Sequence, residues 1–166
     1  MNQKLFESIS RTRVITQKDA IEVIGVTMEE LESYQQQKIL SLKSIEVKKE
    51  VVKYYELSER GEKIVKENFD TIGQFYRGFD VLQDLTLSQF YLKLSEDVRA
   101  TWETKDDLIV EYRLTGTVDG VFQENGKWRG VKVLNTSANS QTAERYMKFV
   151  EETKLDDVMF LMYQSN

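Results

Sequence analysis

Thr16-Gln17-Lys18-Asp19-Ala20-Ile21-Glu22-Val23-Ile24-Gly25-Val26-Thr27-Met28-Glu29-Glu30-Leu31 decides how the first half of the chain is read. The run from Thr16 to Asp19 opens a short helix with Ala20, Ile21 and Ile24 on one face, because residues three and four apart stack along a helix. Gly25 and Val26 interrupt it in a tight turn of helix-turn-helix type. Thr27, with Glu30 three positions on, forms a capping box in which each side chain answers a backbone N–H left open at the helix start. The second helix is predicted to bury Met28, Leu31, Tyr34 and Ile39.

Outward from that stretch, residues 39–47 and 51–57 are β-like runs joined by Lys48-Lys49-Glu50, and Ser58-Glu59-Arg60-Gly61 leads into a helix over 62–68. Helix, turn, helix, two-stranded wing and helix is the order of a winged helix, predicted over residues 1–68. Residues 69–84 read as a linker interrupted by Gly73 and Gly78 and punctuated by Phe69, Phe75, Tyr76 and Phe79. A solvated linker would not carry such aromatics, so they are expected to dock one module on the other.

Residues 85–166 form the second predicted domain. Leu87, Phe90, Tyr91, Leu94 and Val98 share a helix face at i, i+3, i+4, i+7 and i+11. Strand-like runs follow at 108–115, 117–123 and 127–134, and Asn125-Gly126 between the last two is a hairpin signal because both residues tolerate positive φ. A Ser/Thr/Asn-rich loop over 135–140 precedes a helix burying Ala143, Tyr146, Met147 and Val150, and residues 157–163 close as a buried strand. The third strand, that helix and the last strand fit a right-handed crossover between parallel strands. The fold class predicted is therefore α+β, a winged helix-turn-helix followed by an α-β-β-β-α-β domain.

Composition narrows the functions open to this chain. Of its 166 residues 40% are hydrophobic and 31% charged, without low-complexity tracts, as in a globular protein. No apolar run approaches the roughly 18 residues of a membrane helix, and Met1-Asn2-Gln3-Lys4 lacks a signal-peptide core, so a cytoplasmic protein without membrane contact is expected. The absence of cysteine excludes disulfides, thiolate metal sites and thiol nucleophiles. The absence of histidine removes the usual general base and the commonest metal ligand. With no Gly-rich phosphate loop or nucleophilic triad either, neither a cofactor nor a resident metal is expected.

Charge points to a local, not a general, nucleic-acid surface. Residues 1–69 hold 12 basic and 12 acidic side chains, and the remaining 11 basic and 16 acidic ones give the net −5. An acidic total opposes indiscriminate nucleic-acid binding while leaving room for a small basic patch. At about 100° per residue, the helix from Thr27 turns Glu29, Glu30, Ser33, Gln36 and Gln37 outward. Gln reads adenine and Ser is permissive, whereas Glu accepts only from cytosine. Glu29, Glu30 and Glu32 stand where phosphates would approach, although they also favour the helix N-terminus. Lys38, Lys43, Lys48, Lys49 and Lys53 are the nearest cations, and three belong to the wing tip. The expected DNA-contacting set is Ser33, Gln36, Gln37, Lys38, Lys43, Lys48, Lys49 and Lys53, led by the wing, with double-stranded DNA as partner. Lysines on a wing are also often merely solvated, and the module could serve protein contact alone.

Tyr55-Glu56-Leu57-Ser58-Glu59-Arg60-Gly61 resembles the wing-to-helix junction of bacterial winged-helix regulators, and the α-β-β-β-α-β order matches the core of restriction-endonuclease-like folds. Gln83-Asp84-Leu85-Thr86-Leu87-Ser88-Gln89-Phe90, Trp102-Glu103, Thr117-Val118-Asp119-Gly120-Val121-Phe122 and Gly130-Val131-Lys132-Val133 extend this. With them the chain resembles the replication-relaxation family of plasmids and mobile elements. The resemblance implies an accessory role in plasmid replication or mobilisation, with a replication or mobilisation protein as partner; a homodimer is left open. Gln83 departs from the family's histidine before Asp-Leu, and Gly130-Val131-Lys132-Val133 lacks the carboxylate expected on the third strand.

A nuclease of that kind needs an aspartate and a second acid around a divalent cation, with a lysine beside them. Asp119 and Lys132 occupy such places on adjacent strands, but the acid two residues before Lys132 is Gly130. The pair is expected to be a degenerate, non-catalytic nuclease site. A metal-dependent nuclease remains the alternative if Glu103 or Glu111 has moved into the role, and Asp119-Gly120 also reads simply as a turn or bulge. The 135–140 loop reads as a helix cap or as a backbone-contacting loop near that site.

Overall fold

Two sheets, one of three strands and one of four, organise the computed structural model, which describes residues 1–70, 72–112, 118–136, 144, 146, 149, 151–153 and 155–164. The fold is mixed α+β. A helix that the sequence pattern leaves unassigned, α1 (Gln3–Thr12), starts where Asn2 Oδ1 accepts the Leu5 N–H, and it buries Leu5, Phe6 and Ile9. Strand β1 (Val14–Thr16) leads into α2 (Gln17–Glu22), capped by Thr16. Helix α3 (Met28–Gln36) starts on the Thr27–Glu30 capping box with both halves formed. Ile21 and Met28, expected in the core, are instead 37% and 38% exposed. Six-residue α2 buries Ala20 alone, and Met28, on the first turn of α3, lies outside the arc of Leu31 and Tyr34.

Strands β2 (Leu40–Val47) and β3 (Glu50–Leu57) pair antiparallel from Leu40↔Leu57 to Val47↔Glu50, and β1 joins the other side of β3. Paired residues share a face of the hairpin. Lys43 and Ile45 therefore stand with Tyr54 and Val52, while Leu42 and Ser44 stand with Tyr55 and Lys53. The first face packs around Val14, Leu85 and Val81. The turn, Lys48-Lys49, is left-handed at both residues, with φ of 50° and 70°. Helix α4 (Glu59–Asn68) follows, its cap Ser58 accepting the Gly61 N–H and donating to the Lys38 carbonyl.

Helix α5 (Val81–Lys93) begins earlier than the Leu87 spacing predicts, because Asp80 accepts the Leu82 N–H at 2.8 Å and caps it there. It ends at Leu94, so Val98 falls on a separate short helix, α6 (Glu96–Ala100). After β4 (Glu103–Thr104) the strand predicted over 108–115 is replaced by helix α7 (Lys105–Tyr112). Thr104 N–H donates to Asp107 at 2.9 Å and Asp107 N–H to Thr104 Oγ1 at 3.0 Å. That reciprocal cap starts a helix in spite of the strand-like Leu108-Ile109-Val110 run; residues 113–115 lie outside the described residues.

Strands β5 (Gly120–Glu124) and β6 (Lys127–Asn135) form the hairpin expected around Asn125-Gly126, and β7 (Asp157–Tyr163) runs parallel to β6. The second sheet has the order β4-β5-β6-β7. Of the helix expected between β6 and β7, Ala143, Met147 and Val150 lie outside the described residues, as do Thr117 and the 137–140 part of the polar loop.

One buried cluster runs from Leu5, Phe6 and Ile9 through Tyr55, Phe75, Tyr76 and Leu87 to Trp102, Phe122 and Val131. Trp102 stacks on Phe122 at 5.8 Å with Tyr91 edge-on at 5.2 Å. Leu108, Val118, Val121 and Phe149 form a smaller cluster. Phe69, Phe75 and Tyr76 enter the large cluster, whereas Phe79 is 95% exposed. Among the described residues no helix is long and apolar enough to cross a membrane.

Candidate functional site

The ladder between β5 and β6 begins at Gly120↔Val131, and Asp119 sits immediately before it. Its N–H still donates to the Val131 carbonyl at 2.8 Å, and its Oδ2 accepts the next β6 amide, Val133 N–H, at 2.8 Å. The side chain thus takes the Val133 N–H that a strand carbonyl would otherwise accept. Oδ1 accepts from Lys132 Nζ at 3.0 Å, Gln83 Nε2 at 3.2 Å and the Tyr76 hydroxyl at 3.3 Å. Asp119 is fully buried, and four donors converge on its two oxygens. The structure therefore brings Asp119 and Lys132 together as the sequence suggests, and adds Gln83.

The strand position expected to hold a second acid is an apolar seam. A Cβ at Gly130 would press on Val158, Leu155 and Val118 at 3.0–3.2 Å, so a carboxylate there would be buried without polar company. Burial first, then the charges of Glu111 and Asp107, raise the Glu103 pKa, and Arg11 lowers it. Among the described residues no group of three or more acidic side chains is placed to hold a metal ion.

A second buried carboxylate, Asp84, escapes the sequence reading. It lies on the buried face of α5 with Leu87, Ser88 and Tyr91, at i+3, i+4 and i+7. Arg13 donates to its Oδ2 at 2.7 Å and to the Gly78 carbonyl at 3.2 Å, while Oδ1 has no hydrogen-bond partner among the described residues. Gly78 packs so closely on this carboxylate that a Cβ would collide with it. Burial lifts Asp84 to about 6; Arg13 and Lys105 pull it down and Asp119 pushes it up. Burial, followed by the charges of Asp119 and Asp84, pushes the Tyr76 hydroxyl far above the ordinary phenol range. Lys105 Nζ lies over the Tyr76 ring at 4.7 Å and the Phe79 ring at 4.9 Å. Arg13, Tyr76, Asp84 and Lys105 thus join Gln83, Asp119 and Lys132 in one polar centre between α5 and the strand ends. The one signal for it in the sequence is an acid on the apolar face of an amphipathic helix.

The proposed DNA-contacting residues fall into separate groups. Ser33, Gln36, Gln37 and Lys38 are exposed at the end of α3, with Gln37 Nε2 donating to Ser33 Oγ at 3.0 Å. Lys48, Lys49 and Lys53 are exposed on the hairpin, Lys53 on the face of Tyr55. Lys43 departs from the expected set: it projects from the opposite face and is ion-paired with Glu56, because alternation along a strand sends it away from Lys53. The eight residues of β2 separate the α3 end from the wing tip by about 26 Å. Glu29, Glu30 and Glu32 of α3 are exposed, as are Ile21, Val23 and Met28.

Between α1, β3 and α4 lies a crevice of about 160 Å³ whose lining includes Arg13, Glu56, Glu62, Tyr76 and Arg77. Arg77 forks onto Glu62 at 2.5 and 2.7 Å and Arg13 lies 3.9 Å from Glu56, so its charges pair with one another. Compared with protein-family models, curated proteins and solved structures, the chain matches none.

Proposed function

We propose that this chain binds double-stranded DNA through a winged helix at residues 1–68, contact being led by the wing, and that its second half is a catalytically silent nuclease-like domain. The role is that of an accessory or regulatory protein of a plasmid, phage or other mobile element, acting in replication or mobilisation beside a protein of that process. The observation that carries the reading is the β2–β3 hairpin with exposed Lys48-Lys49 at its tip and Lys53 on one face. The order α1-β1-α2-α3-β2-β3 supports it, since it sets a capped helix beside that hairpin. A wing that meets phosphates while the α3 end lies about 26 Å away spans roughly eight base pairs of duplex. Ser33, Gln36 and Gln37 then supply sequence preference and the lysines supply affinity.

Catalytic silence rests on the filling of Asp119. A magnesium ion needs carboxylate lone pairs, and here Lys132, Gln83, Tyr76 and the Val133 amide hold them. The protein is expected not to nick or cleave DNA with magnesium or manganese; metal-dependent cleavage that vanishes in Asp119→Asn would overturn this.

The DNA reading is tested by binding to duplex across a salt series. Lys48→Asn/Lys49→Gly keeps the turn, because those residues favour its left-handed conformation, and removes two charges. It should weaken binding to all sequences alike and reduce the log–log salt slope by about 0.9 per lost phosphate contact. A second reading, a protein-interaction adaptor, is favoured by exposed Ile21, Val23 and Met28 on a segment that also carries exposed Glu29, Glu30 and Glu32, side chains suited to protein and not to phosphate. Absence of duplex binding at low salt by the folded protein selects the adaptor.

A further inference from the structure

We infer that β7 is an interface strand that pairs antiparallel with β7 of a second copy of this chain. It forms the outer edge of the second sheet, and no described strand pairs with its far side. Exposed edges of this kind are normally protected by charges, proline or brevity, since unpaired N–H and C=O groups recruit other strands. The three other sheet edges carry that protection: β1 has three residues, β4 has two, and β2 presents exposed Lys43 and Glu46. Strand β7 has none of it from Val158 through Tyr163, six consecutive residues without a charge. Its residues are also apolar on both faces yet only partly covered. Met162 is 52% exposed, while Val131 and Val133 on the neighbouring strand are 0% and 2% exposed.

The hydrogen-bond pattern fixes the register. The Asp119 N–H bonds to the Val131 carbonyl, so odd-numbered residues of β6 face β5 and even-numbered ones face β7. The Thr136 N–H accordingly bonds to the Tyr163 carbonyl, and the odd-numbered residues of β7 are those bonded to β6. The backbone groups of Val158, Phe160 and Met162 therefore face outward. An antiparallel two-fold through Phe160 pairs each Val158 with the other copy's Met162, and satisfies all of these groups at once. The same register sets Met159 opposite Leu161 and Asp157 opposite Tyr163, so no charge meets a like charge and the cross-strand pairs from Val158 to Met162 are apolar. The result is one continuous sheet of eight strands. This inference stands apart from the DNA reading, because β7 belongs to the second sheet and the wing to the first.

The test is sedimentation of the full chain over a concentration series, with hydrogen exchange of single amides in parallel. The wild type should associate to a dimer. The amides of Val158, Phe160 and Met162 should be protected at about 100 µM and should lose protection on dilution to about 1 µM, as mass action requires. Met162→Pro removes an outward N–H from an exposed edge position and no bond to β6, so it should be a folded monomer. A wild type that stays monomeric throughout overturns the inference. So does a dimer that Met162→Pro leaves intact, or protection of the three amides that does not change with concentration. If Met162→Pro fails to fold, the exchange experiment on the wild type decides alone.

Discussion

Asp84 is fully buried with one oxygen unpartnered among the described residues, and burial, the largest influence on it, lifts it to about 6 from the ordinary aspartate value of 3.8. Folding therefore favours its protonated form. The ionised form weakens the fold above about pH 6, and the fold regains that stability as pH falls from 6 towards 4, opposite in sign to an ordinary paired carboxylate. We expect Asp84→Asn to be more stable than the wild type at pH 7.5, by as much as about 3 kcal/mol for a shift of some two units, with the difference vanishing near pH 4. Urea unfolding at both pH values measures it, and a wild type as stable as the variant at pH 7.5 would show the account of Asp84 to be wrong. Asp119 presents the other case, a buried acid whose oxygens are all met. Lys132→Met should leave it without its cation and cost about 3–5 kcal/mol, as breaking one side of a buried pair does. Unchanged stability in Lys132→Met would mean that the pair is not the anchor of this polar centre.

At the scale of elements, caps and turns decide more than apolar pattern does. Lys48 and Lys49 hold left-handed conformations that cost an ordinary side chain about 1–2 kcal/mol per residue in steric strain. Lys48→Asn/Lys49→Gly should therefore raise the thermal midpoint while weakening any DNA contact; a lower midpoint would contradict the observed turn. Asp107 fixes the start of α7 and also accepts from Arg11 and from the Gln74 N–H. Asp107→Ala should destabilise by about 1–2 kcal/mol for the lost cap alone. The Thr27–Glu30 cap, the β2–β3 hairpin and the Asn125-Gly126 hairpin were legible because their signals are local. The cap at Thr104 was not, because aspartate stands where glutamate is the familiar partner and the Leu108-Ile109-Val110 run reads as a strand. Asp119 with Lys132 could be found from spacing on neighbouring strands. Arg13, Tyr76 and Asp84 could not, since their contacts cross 43 to 71 positions of sequence and exist only once α1, the aromatic segment and α5 have packed.

Across the whole molecule, the sequence boundaries near residues 68 and 85 do not bound separate interiors. The large buried cluster runs without a break from Leu5 to Val133, and α1 packs directly on α5. Three ion pairs span the same seam: Lys4 with Glu96, Arg11 with Asp107 and Arg13 with Asp84. The first is exposed to solvent and adds little; Arg11 with Asp107 is largely covered and ties α1 to the second half, whereas Arg13 offsets only part of the burial cost of Asp84. Removing the second half would uncover Val14 and Tyr54, which pack on Leu85 and Val81, along with the aromatic segment, too much apolar surface for the remainder to hold its structure unaided. We therefore expect one cooperative unfolding transition. Far-UV circular dichroism, which follows all the helices, and tryptophan fluorescence, which follows Trp102 and Trp128 in the second half, should give the same denaturant midpoint. Leu87→Ala removes a fully buried side chain at the middle of that cluster, and a cavity there should cost about 2–5 kcal/mol. The decisive feature is that both probes must shift together. If the fluorescence midpoint moved while most of the helical signal stayed, the two halves would be unfolding independently, and the cluster would be a contact between separate cores instead of one core.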